Sequence, residues 1–413
     1  MKFIRLLKKK LKKYFLLIKR FFYKDFFIPF KGIRKNDILV FDDIFPHPIS
    51  GFRLEEFKVL LNVFKKSKIV IDPTAYSIIK TPIKHHQIHI KEFEIQSGLI
   101  KKINLKKGFV NVNTKLFYCV FLHNISINLK WLEKFEIPFV FTLYPGGGFK
   151  INEDISDQKL EKVLTSPMFR KVIVTQKITY EYLLEKKLCK KENIEFIFGC
   201  VVPQISLSKD LTDKKTYLIN KTTFDICFCA AKYTSKGEDK GYDIFIEFAK
   251  TIVNRYDFIN FHIIGGFNEE DIDVSELKEK VKFYGYQNFD SLSSIFQKMD
   301  VLISPNKAFM LGKGAFDGFP LGTVVEAALN GVCVLITDEL KQNNAFVPNV
   351  DLILIDSDID SIVKNIINLI ENPQKLYLIS QNGKEKFIQV YSNETQMKPR
   401  IAILLNEIVE TTK

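Results

Sequence analysis

Short unbroken runs of Val, Ile, Leu and Phe recur along the chain, separated by stretches in which apolar residues return every three or four positions. Continuous apolar runs mark strands buried on both faces, and the three-to-four spacing marks helices with one face on a core. The first series predicts strands at 38–42, 68–71, 116–122, 139–143, 171–175 and 194–198. Helices are expected from Leu54, over 127–135 and over 178–186. Residues 72–115 carry no clear period, although HHQIHIKEFEIQ (85–96) alternates as an exposed strand would. From Pro203 to Lys221 the chain is polar and aperiodic, which reads as a linker. A second series predicts strands at 224–230, 261–264, 281–284, 300–304, 332–336 and 352–355. Its helices fall at 242–256, 289–298, from Asp360 and from Pro373. A last helix, about 394–409, has no strand after it and is free to pack back on the first domain.

At 413 residues the chain is too long for one core. Alternating strands and helices in two series predict an α/β protein of two doubly wound, Rossmann-like domains facing a cleft. Such sheets bind ligands at strand carboxyl ends. We place the domains at 33–205 and 220–390, with 391–413 as the C-terminal helix.

Residues 1–28 stand apart. Phe3, Ile4, Leu7, Leu11, Tyr14, Phe15, Ile18, Phe21 and Phe22 fall on one helical face, with most basic residues opposite. This predicts an N-terminal amphipathic helix on an anionic membrane surface, with docking on its own domain as the alternative. Charge supports the first. Residues 1–24 hold ten Lys/Arg and no acid, and without those ten charges the formal +13 falls to +3. A near-neutral body with no basic aromatic groove excludes nucleic acid as a partner. No apolar run reaches membrane-spanning length, and no secretory cleavage pattern follows the start. Six scattered cysteines, mostly in apolar runs, suit buried thiols in a reducing compartment. The expected location is cytoplasmic, peripheral on the inner face of the cell membrane.

Candidate chemistry gathers in the second series. Asp317–Asp338 reads as a Gly-rich loop, a helix N-terminus with Gly322 and Thr323 at the cap, and a strand after Gly331. Free N–H groups and the dipole at that N-terminus suit a phosphate, and Glu326 in the first turn can reach a sugar hydroxyl. Lys232 follows the first strand of this series, Lys240 and Gly241 open the next helix, Gly265 ends the second strand, and Tyr286 follows the third. Two lysines, a helix N-terminus and a carboxylate can hold a diphosphate and a ribose without metal. His85, His86 and His89 have metal-like spacing but sit in the alternating stretch. Asp356, Asp358 and Asp360 read as helix-capping acids, and Asp42-Asp43 as turn formers.

The order KG, IIGG, VKFYG, MDVLISP and DGFPLGTVVEAALNGVCVLITD resembles the nucleotide-sugar-binding domain of glycosyltransferase family 4, over about 224–390. The resemblance implies a GT-B fold and a retaining transferase using a nucleotide-sugar donor, with no cofactor or metal. It implies that Lys232 and Lys240 bind the donor diphosphate and that Glu326 binds the donor ribose. Asp317 matches the first acid of the family's paired-acid motif, with eight residues before Glu326 instead of seven. Gly51 resembles the first-domain glycine near the phosphates, and Gly318 and Phe319 line the donor loop. The family often has a His after the strand matching 139–143. This chain has Tyr144 there, which leaves His123 as the candidate, with His47 behind it. Glu326, Lys240, Asp317 and His123 are thus the candidate catalytic residues. The expected acceptor is a saccharide or lipid-linked glycan in surface polysaccharide synthesis. A nucleotide-sugar 2-epimerase or a non-catalytic partner subunit of the same fold are the alternatives.

Overall fold

A computed structural model describes residues 26–79 and 81–410. The amphipathic segment expected over 1–28 lies outside the described residues except at its end, where Phe27–Phe30 forms strand β1.

The first sheet is built from β2 (Asn36–Asp42), β3 (Ser67–Ile71), β4 (Ile103–Leu105), β6 (Thr114–Val120), β7 (Phe139–Leu143), β8 (Phe169–Val174) and β9 (Ile194–Phe196). Its order is β4-β3-β2-β6-β7-β8-β9 and every pairing is parallel. Strand β5 (Gly108–Asn111) stands outside it, paired parallel with β1. Strand side chains alternate between two apolar layers, as a sheet covered on both faces requires. Leu39, Phe41, Phe117 and Phe141 enter one layer, while Ile38, Val40, Tyr118 and Val140 enter the other.

The second sheet holds β10 (Phe224–Ala230), β11 (Ile259–Gly265), β12 (Val281–Phe283), β13 (Val301–Ser304), β14 (Cys333–Ile336) and β15 (Ile353–Leu354). Its order, β12-β11-β10-β13-β14-β15, is all parallel and doubly wound, with the switch point between β10 and β13. The last helix, Asn393–Glu410, sends Met397, Leu404 and Ile408 into the first domain's core beside Val40 and Phe57.

Several local expectations change. HHQIHIKEFEIQ is helical, within His85–Ser97, not an exposed strand. His86 and Phe93 are buried at helical spacing, and Gly98 ends the helix in the left-handed region (φ 69°), its N–H on the Glu94 carbonyl. The segment 203–221 is not a loose linker: it contains the helix Gln204–Leu207 and the buried side chains of Ser206, Lys214 and Tyr217. Helix Leu122–Lys134 begins five residues before the expected 127. Asp358 does cap, accepting from Ser361 N at 2.8 Å, and Asp42 Oδ1 takes the N–H groups of Ile44 and Phe45. All six cysteines are free, and Cys119, Cys227, Cys229 and Cys333 are buried. Among the described residues no helix is long and apolar enough to cross a membrane.

Candidate functional site

The chain passes between the domains at 199–203 and again near Tyr391. Residues after the carboxyl ends of β2 and β10 meet around this passage and line a cavity of about 420 Å³. Gly51, Phe52 and the crossing residues Cys200–Pro203 form one wall. Tyr233, Lys240, Asp317, Gly322, Thr323 and Glu326 form the other.

Lys240 reaches it from the turn Glu238–Lys240, between two glycines in the left-handed region. A Cβ on Gly241 (φ 70°) would lie 2.0 Å from the Pro305 carbonyl oxygen, so only glycine lets the turn pack against the end of β13. The Lys240 ammonium pairs with Asp317 Oδ2 and lies 5.2 Å from the Tyr233 ring centroid. The Asn306 amide, with its nitrogen turned inward, donates to Asp317 Oδ2 (3.2 Å) and to the Asp239 carbonyl (3.0 Å).

The helix Gly322–Leu329 buries Val324, Val325, Ala327 and Ala328 and points its N-terminus at the cavity. Its cap is Leu321 in extended conformation, not Gly322 or Thr323; both glycine and threonine lie inside the first turn. No side chain caps it, so its leading N–H groups are available to a ligand. With the cap at Leu321, Glu326 falls just past the first turn, and no acid occupies that turn. That position removes simple dipole complementation as the reason for its presence. Its Oε1 accepts from Ser206 Oγ at 3.0 Å. Burial pushes its carboxyl above the usual range, while Ser206 and the Lys209 ammonium pull it back.

The predicted set divides. Gly51, Lys240, Asp317, Gly322, Thr323 and Glu326 line one cavity. Gly318 and Phe319 line a small adjoining one of about 40 Å³ that shares Asp317. Lys232 does not reach the cavity; its ammonium pairs with Asp271, on the loop after β11. Gly265 also lies outside the lining. A Cβ there would sit 2.0 Å from the Ala230 carbonyl oxygen, so its requirement is the close approach of β10. Tyr286 is 65% exposed and lies over Gly266; its neighbour Gln287 is the lining residue.

His123 is exposed on the first turn of Leu122–Lys134, with its backbone N–H on Gly147 O at 2.8 Å, and is absent from the lining. Tyr144 is structural. Its hydroxyl donates to Glu56 Oε2 (3.1 Å) and accepts from Arg400 (3.3 Å), while its ring supports Phe52 at 5.1 Å. His47 is not in the lining: Thr81 holds its ring at 3.1 Å in a histidine and tyrosine cluster, its Nδ1 accepts from the N–H of the lining residue Ile49 at 3.1 Å, and burial lowers its pKa to about 4.

Three contributors escaped sequence reasoning. Ser206 came from the segment read as linker. Tyr233 adjoins Lys232. Gln176, just past β8, bonds both Phe319 N (3.1 Å) and Phe319 O (3.3 Å) across the domains. Its place at a strand carboxyl end was the available signal.

Residues 213–386 match the family model for glycosyl transferases group 1. No curated protein matches the chain. The structure of HepE (Alr3699) from Anabaena in complex with UDP and glucose is similar at 14% identity and TM-score 0.63, over 90% of this chain and 99% of that one. A glycosyltransferase from Rickettsia africae reaches TM-score 0.63 at 12% identity, over 91% and 99%. A sucrose-phosphate synthase from Thermosynechococcus elongatus reaches 0.57 at 13%, over 90% and 97%. The architecture is therefore GT-B. With a group 1 domain over residues 213–386, the chain is a glycosyltransferase.

Proposed function

We propose that this glycosyltransferase moves a hexosyl group from a nucleotide sugar to a saccharide or lipid-linked glycan at the cytoplasmic face of a membrane, retaining anomeric configuration in the manner of family 4. The carrying observation is one cavity that holds Lys240, the open N-terminus of Gly322–Leu329 and Glu326 together. The helix N–H groups and Lys240 would take the leaving diphosphate, stabilising negative charge where it develops. Glu326, with Oε1 held by Ser206, offers Oε2 to a ribose hydroxyl. The HepE complexes with UDP make a uridine donor the first to try.

Retention is supported by where the acids lie. The lining carboxylates, Asp317 and Glu326, both belong to the second domain, and among the described residues the first-domain wall offers none, either as nucleophile for a double displacement or as base for an acceptor attacking from the far face. That favours departure and attack on one face, with the acceptor hydroxyl held close to the leaving phosphate. Surface polysaccharide synthesis is the matching process, and no resident cofactor enters this chemistry.

The test is nucleotide release from a panel of UDP-, GDP- and ADP-sugars, with wild type beside Glu326→Ala. Release by wild type with at least tenfold loss in the variant is expected. Wild type that neither binds nor turns over any donor would sink the proposal.

A further inference from the structure

The ribbon of β1 and β5 shows the wrong face to water. Its inner face packs normally, with Phe27 against Trp131 (6.3 Å) and Val110 in the core. Its outer face carries Ile28, Phe30 and Phe109 at 43%, 41% and 64% exposure, and Ile33 just beyond is fully exposed. A two-faced apolar ribbon on the domain's flank needs an apolar neighbour.

The charge around it says which. Residues 26–35 and 101–115 contain eight Lys/Arg and no acid. Lys106 and Lys115 are paired with Asp72 and Asp37, whereas Lys31, Arg34, Lys35 and Lys107 form no ion pair among the described residues. The 31–35 loop is braced: Asn111 accepts from Gly32 N (2.9 Å) and donates to Arg34 O (2.8 Å), and Asn113 donates to Gly32 O (2.6 Å). Lys31, Lys35, Lys115 and Arg170, with the single acid Glu136, line a cavity of about 250 Å³ beside it.

We infer that this ribbon and loop are a second, folded membrane contact that seats Ile28, Phe30, Ile33 and Phe109 among acyl chains and the cations among anionic headgroups. The inference rests on the membrane reading above. The chain's own residues 1–24 are the other apolar candidate, but they carry ten positive charges. Like charges repel, and an anionic bilayer complements both. The ribbon also fixes orientation. Lys106 Nζ lies 5.4 Å from the Phe27 ring and 3.3 Å from Asp72, level with the carboxyl ends of β2 and β3. The 31–35 loop lies at their amino ends, so the contact runs along the domain's flank and leaves the cleft mouth open beside the membrane.

Full-length protein is sedimented with vesicles of phosphatidylglycerol and phosphatidylcholine (1:1), and with phosphatidylcholine alone. The variants are Ile33→Asp with Phe109→Asp, Lys31→Glu with Lys35→Glu, and Lys8, Lys9, Lys12 and Lys13→Glu. Each ribbon variant is expected to bind anionic vesicles at least tenfold more weakly at an unchanged melting temperature, since the altered side chains are exposed. Wild-type strength in both ribbon variants, with loss only in the N-terminal one, overturns the ribbon and keeps the membrane reading. Wild type that ignores anionic vesicles overturns both.

Discussion

Replacing Glu326 by Gln separates what that residue does for the fold from what it does for the ligand. The amide keeps the shape and can still accept from Ser206 Oγ, now 3.0 Å from Oε1, but carries no charge. In the folded protein, burial holds the Glu326 carboxyl above its ordinary value of 4.5. A raised pKa means the folded state binds that proton more tightly than the unfolded chain. The group's stabilising contribution is therefore complete below about 4.5 and is lost as pH rises through the folded value. At pH 7.5 the wild type bears the cost of a desolvated charge and the Gln variant does not. We expect the variant to be more stable by about 1 kcal/mol at pH 7.5, roughly 2 °C in melting temperature, an advantage that shrinks toward pH 4.5. Nucleotide binding should move the opposite way. Exchanging a charge-assisted hydrogen bond to ribose for a neutral one forfeits about 1–2 kcal/mol, or roughly 5–30-fold in Kd. Thermal melts across pH 4.5–7.5 and titration calorimetry with UDP read the two effects. A variant that is less stable at every pH, or that binds nucleotide as well as wild type, refutes the reasoning.

Lys240→Met should lower kcat/KM by about 30–300-fold, while Lys232→Met should cost less than about fivefold, because only Lys240 lines the cavity. Equal losses in steady-state assays would show that Lys232 leaves Asp271 when donor binds. Arg400→Met should destabilise by about 3 kcal/mol in urea unfolding, since it strips the buried Tyr144–Glu56 pair of its cation. Adding Glu56→Gln should restore part of that loss; a fully additive loss would deny the coupling.

How far the sequence revealed the fold depended on whether burial followed a simple period. Strands 139–143 and 224–230 match their predicted bounds because each is an apolar run buried on both faces. The helix His85–Ser97 was hidden for the opposite reason. It turns Ile88 and Ile95 to solvent and buries His86 and Phe93, so no apolar stripe marks its inner face. At the site, Lys240, Asp317 and Glu326 were legible because the motif order places them after β10 and β13, the neighbouring strands at the switch point of one domain. Ser206 and Gln176 were not, since their partners lie 120 and 143 residues away and no local pattern carries such a pairing. Lys232 shows the reverse limit. Its sequence position is right for a phosphate, but its partner is set by how the loop after β11 folds back.

The pairing of Lys240 with Asp317 also ties the donor site to the domain interface. Asp317 lies between two anchors on the first domain. On one side Phe316 is buried in the first domain's core, 5.8 Å from Phe149, and Gly314 O accepts from Ile151 N at 3.0 Å. On the other side Phe319 is bonded at both backbone groups to Gln176. A phosphate that claims the Lys240 ammonium competes with Asp317 for it, and the displaced carboxylate must find water or another donor. The backbone carrying that carboxylate is fixed to the opposite domain, so its adjustment bears on the same contacts that hold the cleft at its present width. At the far side, Gln396 bonds the carbonyls of Phe198 and Val390 at 2.8 Å each, stitching together the two places where the chain crosses. With the crossings pinned there and residues 314–319 anchored on the first domain, charge exchange at Lys240 acts where the second domain has least freedom to ignore it.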